Sequence, residues 1–176
     1  IVDYAPFVTV NAQTDDGETV QVVGSWFNHH MELPTGEQLD AGAASMRSWW
    51  EISEGAWLDE QSAGDDSDLC MIGIGLSEKY GLHTGDTLHL SGDSADRTLK
   101  ISGVFDAGGE EDDMLYAPLN TVQAFAGLDG KIDSIEVSAL TTPDNELAER
   151  AAKDPSSLTV AQYETWYCTA YASSIC

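Results

Sequence analysis

CMIGIGLSEKYGLHTGDTLHLSGDSADRTLKISGVF, residues 70–105, decides how this chain is read. An apolar run over residues 69–74 leads into a short helix expected over 75–80. Gly81 stops it, because glycine enters the left-handed region without a Cβ clash. A turn over 81–86 follows, then two strands expected over 87–91 and 97–105. Leu88 and Leu90 share one face, with Thr87, His89 and Ser91 on the other. Leu99, Ile101 and Phe105 repeat the alternation, the period-2 mark of half-buried strands. These residues specify a compact hairpin-bearing unit and, by themselves, no chemistry.

Working outward, residues 5–12 and 18–27 read as two strands joined at Thr14-Asp15-Asp16-Gly17, a turn signal. Pro34 and Gly36 mark a loop that carries Asn28, His29, His30, Met31 and Glu32. Leu39, Ala43, Met46 and Trp50 fall at helical spacing, so an amphipathic helix is expected over 39–50. Residues 59–68 and 106–113 are acidic, glycine-bearing solvent loops, and the first candidates for mobile, partner-facing tips. Met114 opens a short strand, and Pro118 suits the first turn of a helix that Gly127 ends. A strand over 131–139 is expected to turn Ile135, Val137 and Ala139 inward. Thr142-Pro143-Asp144 signals a helix over 143–152, and a last helix is expected over about 160–174.

The composition bounds the function. Seven basic residues face 31 acidic ones, a net charge of −24, which repels phosphate backbones and anionic lipid heads. Nucleic acid is therefore not an expected partner. The scarcity of Lys and Arg fits the outer side of a membrane. No apolar run approaches the roughly 20 residues of a spanning helix. Without an initiator Met or a charged leader, the chain reads as a domain excised from a longer protein. Of the three cysteines, Cys70 sits in an apolar run and reads as a buried thiol. Cys168 and Cys176, eight apart on a helix, would stand about 12 Å from each other, too far for a disulfide.

Catalytic patterns are missing. Ser77 follows Gly75, but position 79 is Lys, so there is no G-x-S-x-G. Gly73-Ile74-Gly75 lacks the third glycine of a dinucleotide loop, position 78 being Glu. No phosphate loop, H-E-x-x-H or C-x-x-C occurs, and His83 and His89 read as surface residues. The chain is not expected to be an enzyme. Two local clusters stand out. Trp26, Trp49, Trp50 and Trp57 read either as packing or as an aromatic ligand or partner surface. His29, His30, Met31 and Glu32 mix soft and hard donors and are the candidate transition-metal ligands, although adjacent histidines point apart on a strand.

Gly75-Leu76-Ser77-Glu78-Lys79-Tyr80-Gly81-Leu82, then Gly85-Asp86-Thr87-Leu88, then Ile101-Ser102-Gly103-Val104-Phe105 carry a family resemblance. They resemble the MacB-like extracytoplasmic core domain of FtsX/LolE-type ABC transporter permeases. Met114-Leu115-Tyr116-Ala117-Pro118-Leu119 resembles that family's strand-to-helix step, and the likeness is clearest over residues 68–140. The resemblance implies an α+β fold with two lobes. A mixed βα, porter-like lobe would span 1–55 and 131–176, and a β-rich, sabre-like lobe, 56–130, would be inserted in it. It implies a cell-membrane protein with this domain on the extracytoplasmic side and spanning helices before Ile1 and beyond Cys176. It also implies a permease homo- or heterodimer, a separate ABC ATPase subunit or domain, and an extracytoplasmic partner protein. The expected work is mechanotransmission, the coupling of cytoplasmic ATP hydrolysis to movement outside. The alternative is a metal- or small-ligand-binding module of a metal-handling transport system.

Overall fold

The computed structural model describes residues 3–139 and 146–162, apart from residues 33, 35, 37 and 65. The described strands are β1 Asp3–Thr14, β2 Thr19–Ser25, β3 His29–Glu32, β4 Gln38–Ala41, β5 Glu51–Gly55, β6 Leu69–Gly73, β7 Thr87–Ser91, β8 Asp96–Asp106, β9 Met114–Pro118 and β10 Ser134–Ser138. The helices are α1 Ala43–Met46, α2 Glu60–Ala63, α3 Ile74–Tyr80, α4 Leu119–Ala126 and α5 Glu146–Lys153. Contacts group residues 3–137 as one unit, and residues 138–176 with the first two residues as another.

The mixed sheet runs β10-β1-β2-β9-β6-β8-β5, with β7 pairing both β1 and β8. The pairings therefore close a circuit, β1-β2-β9-β6-β8-β7 and back to β1. Its two narrow joints are Met71 with Tyr116 and Ile72 with Leu115 on one side, and Gln13 with Ser91 and Thr14 with Leu90 on the other. β5, expected with the first lobe, pairs with β8. β9, expected in the inserted lobe, pairs in parallel with β2. One sheet thus runs through both expected lobes.

Strand alternation gives the sheet a core on each face. Val8, Val22, Ile72, Leu115 and Val122 belong to the first, which is mainly aliphatic, with Phe125 its one buried ring among the described residues. Phe7, Val23, Met71, Tyr116 and Phe105 belong to the second, with Phe27, Trp50 and Leu58. Leu99 and Ile101 face the first core, but Phe105 faces the second, a correction to the simple alternation. The cause is a bulge: Cys70 pairs with Ile101 and Met71 with Gly103, so Ser102 is an extra residue that shifts the phase.

The signature residues build this scaffold. α3 ends at Gly81, which is left-handed with φ 63°. Ser77 Oγ donates to Leu82 O at 2.7 Å, and the Asp86 carboxylate accepts from His83 N at 2.9 Å. A Cβ at Gly73 would run into the backbone of Asp112, so glycine is required where the acidic 3-10 turn Glu110–Asp113 packs on the start of α3. The loop expected over 106–113 contains that turn, pinned by Asp112, whose carboxylate accepts from Ala107 N (2.7 Å) and Gly109 N (3.2 Å).

Two more expectations are corrected. The helix over 39–50 is replaced by β4, the four-residue α1 and a turn that leads to Trp50. Gly42, φ 153°, lies so close to the Phe27 carbonyl that a side chain there would clash, and Ala43 N donates to Trp26 O at 2.8 Å. These contacts from a distant strand end hold residue 42 out of a helix. On β10, Ile135 is 56% and Val137 51% exposed, so they do not turn inward. Glu136 is half-exposed, and its carboxylate meets the Arg47 guanidinium at 2.7 Å. Of the helix expected over 143–152, the described part is α5, with Ala151 buried, and its expected start at 142–144 lies outside the described residues. Most of the helix expected over 160–174, with Cys168 and Cys176, lies outside the described residues.

Candidate functional site

The loop expected around residues 28–32 is a strand. β3 pairs antiparallel with β4, so His29 faces Ala41 and His30 faces Asp40. Alternation then sends the two imidazoles to opposite faces. His29 stacks on Trp26, with ring centroids 4.4 Å apart, and its Nδ1 lies 3.8 Å from the carboxylate of buried Glu60. His30 Nδ1 sits 2.6 Å from Asp40 Oδ1. Met31 Sδ accepts from Tyr4 Oη at 2.6 Å, and Glu32 is exposed. The four expected donors do not converge. Among the described residues, no three His, Cys, Asp or Glu side chains are grouped to hold a metal ion.

Glu60 enters this neighbourhood through a helix that composition concealed. The acidic stretch 59–68 begins with α2, whose N-cap Asp59 accepts from Gln61 N at 3.3 Å. Asn28 ties it to β3: Nδ2 donates to Asp59 Oδ1 at 2.7 Å, and Oδ1 accepts from Glu60 N at 2.8 Å. The Asn28 amide, with the Ser62 hydroxyl, holds the Asp59 carboxyl below its ordinary range. His29, His30 and Glu60 share a cavity of about 190 Å³ with Asn28, Gln61 and Gly64.

The tryptophans divide. Trp50 is 5% exposed and stacks on Phe105 at 4.1 Å, so it is a core residue. Trp57 is half-buried against Trp50 at 5.7 Å. Trp26 is half-buried, with Tyr4 edge-on to it at 5.9 Å. Trp49 alone of these four is open, at 61%, and the Arg47 guanidinium lies 5.5 Å from its ring. A second, larger groove of about 450 Å³ runs from the Trp26–His29 stack along α4. Sequence reasoning singled out Trp26 and His29 but missed Leu119, Gln123, Ile132 and Ile135, which line it. The inverted facing of β10 hid the last of these.

His83 and His89 lie at the surface, as expected. His83 Nδ1 approaches Glu54 at 3.2 Å, and His89 Nδ1 approaches Asp15 at 3.1 Å. The Thr84 N–H, donating to Glu54 Oε2 at 2.9 Å, holds that carboxyl below its ordinary range, with help from His83. Cys70 is fully buried and free, and burial pushes its thiol well up. No helix among the described residues is long and apolar enough to cross a membrane.

The glycines of the 73–103 stretch serve the scaffold, and the sheet they help to close defines the fold. The MacB-like periplasmic core domain model matches residues 1–154, and the chain belongs to that family. No curated protein sequence matches it. Among solved structures, it is similar to the extracellular domain of the noncanonic ABC-type transporter YknZ from Gram-positive bacteria. Identity there is 11% and the TM-score 0.56, over 86% of this chain and 68% of that one. It is also similar to the periplasmic region of MacB from Actinobacillus actinomycetemcomitans, at 10% identity and a TM-score of 0.51, over 85% of this chain and 62% of that one. At these identities the likeness is one of fold.

Proposed function

We propose that this domain belongs to an ABC transporter permease and transmits movement between the membrane and the outer side. The observation that carries the reading is the closed strand circuit with a core on each face. Such a body passes on a displacement without absorbing it, because packed interiors deform little. The partners in this reading are an ATPase subunit, which hydrolyses ATP in the cytoplasm, a second permease chain and an extracytoplasmic protein. The cargo is moved outward or extracted. Family membership and the fold of YknZ and MacB support it. The two-lobe division, 1–55 with 131–176 against 56–130, is part of the proposal, and the strand pairings that cross it are β1–β7, β2–β9 and β5–β8. The full-length permease should co-purify with an ATPase, and a cysteine at exposed Trp49 should take up a membrane-impermeant reagent in intact cells. Replacing residues 3–137 by a Gly/Ser linker should leave basal ATP hydrolysis but abolish its stimulation during transport. Persisting stimulation would sink mechanotransmission, and labelling only after lysis would sink the location.

A second reading is favoured by one observation, that His29, His30 and Glu60 border one cavity. Here the domain binds a transition metal. Titration with first-row divalent metals should raise the melting temperature, and His29→Ala/His30→Ala should abolish the rise. The absence of any shift removes this reading.

A further inference from the structure

The sequence has 31 carboxylates and seven cations, yet one groove on its surface carries no formal charge. Ten residues line it, and none is Asp, Glu, Lys or Arg. Tyr4 and Pro6 come from β1, Leu119 and Gln123 from α4, and Ile132 and Ile135 from the β10 segment. The Trp26–His29 stack also borders it. Its volume of about 450 Å³ falls within the range of small-molecule sites. Ile132 is 40% and Ile135 56% exposed, so apolar surface is left in water at the rim. Gln123 Nε2 donates to Lys131 O at 2.7 Å, which anchors the amide and leaves Oε1 as an acceptor.

We infer that this groove binds a ring-bearing apolar small molecule that carries no negative charge. The chemistry of the lining sets the class. Trp26 and Tyr4 supply aromatic surface for a ring, the isoleucines and Leu119 supply aliphatic contact, and Gln123 Oε1 accepts from one donor. The charge of the whole chain sets the sign. At −24 the surrounding field repels anions, attracts cations and leaves neutral amphiphiles unopposed at an uncharged groove. The argument uses only the lining of the groove and the net charge, so the inference stands apart from the transport reading.

The test titrates the 176-residue protein with two dyes at low salt, neutral N-phenylnaphthylamine and its anionic relative anilinonaphthalene sulfonate. The neutral dye should bind saturably, with one molecule per chain, and the anionic dye about ten-fold or more weaker. Ile135→Asp and Ile132→Asp should each weaken the neutral dye about ten-fold. Both positions are exposed, so melting temperatures should stay close to that of the parent and separate lost binding from lost folding. Non-saturable uptake of the neutral dye, or unchanged affinity in both variants, would overturn the site. Equal affinity for the two dyes at low salt would overturn the charge selection.

Discussion

The two faces of the sheet are built differently. The first is filled by short aliphatic side chains from strands that alternate regularly, such as Val20, Val22, Ile72 and Leu115. The second is aromatic: Trp50 lies flat on Phe105 at 4.1 Å, and Tyr116 stands edge-on to both, at 5.0 and 5.6 Å. Much of its cover comes from the irregular segment that supplies Phe27, Met46, Trp50, Trp57 and Leu58. The first face follows from strand periodicity. The second needs a bulge and a displaced loop to bring rings together from distant parts of the chain. Stacked rings therefore set the shape of one face, and mainly aliphatic volume, with the single buried ring of Phe125, that of the other.

Breaking the second face should have the largest effect. Phe105→Ala removes a fully buried ring that two others touch and should cost about 3–5 kcal/mol in denaturant unfolding. Ile72→Val on the first face should cost about 1 kcal/mol. Equal losses would mean that the rings have no special role. The difference sharpens in a double-mutant cycle. Trp50→Leu and Phe105→Leu should couple by about 0.5–1.5 kcal/mol, beyond their separate losses. Additive losses would reduce the stack to buried area alone.

Legibility in the sequence follows the same divide. The helix at 75–80, its stop at Gly81 and the paired strands were all readable, because glycine and period-2 signals act within a few residues. Family membership was legible on the same residues. What was not legible depended on distant contacts. Leu39, Ala43, Met46 and Trp50 have helical spacing, but the carbonyl of Phe27 excludes a side chain at residue 42. Ser102 looks like any strand residue, yet as the extra residue of a bulge it sends Phe105 to the other face. The divergence of His29 and His30 follows from strand alternation, but Pro34 and Gly36 read as a loop and hid the strand that β4 completes. The groove was half legible, through Trp26 and His29 alone.

Alkaline pH should open the faces one after the other. Cys70 belongs to the first face and Tyr116 to the second. Burial raises both acids: the Cys70 thiol well above its ordinary 9.0, and the Tyr116 phenol to about 12 from 10.0. Below the unfolded values both groups are protonated in either state, and the stability is complete. As pH rises past about 9 the unfolded thiol ionises and the folded one does not, so stability falls. Past about 10 the phenol adds its own loss. Cys70→Ala should remove the earlier fall and Tyr116→Phe the later one, read from unfolding midpoints across pH 8–11. A curve unchanged by either variant would break the assignment of one acid to each face.

The smallest effect should come at β10, where the sequence pattern and the fold disagree. If Ile135 faced a core, Ile135→Thr would put a hydroxyl among apolar atoms and cost several kcal/mol. At 56% exposure it loses little contact, and the change should stay within about 0.5 kcal/mol. Glu136→Gln, on the opposite side of the same strand, removes the carboxylate that meets Arg47 at 2.7 Å. Arg47 is the more buried partner, at 11% exposure against 44%, and its guanidinium also lies 5.4 Å from the Phe7 ring on the aromatic face. Losing its counter-charge should therefore cost more than changing the neighbouring isoleucine, by up to about 1 kcal/mol. A reversed order, with Ile135→Thr the costlier change, would place Ile135 inward and undo both the facing of β10 and the apolar rim of the groove.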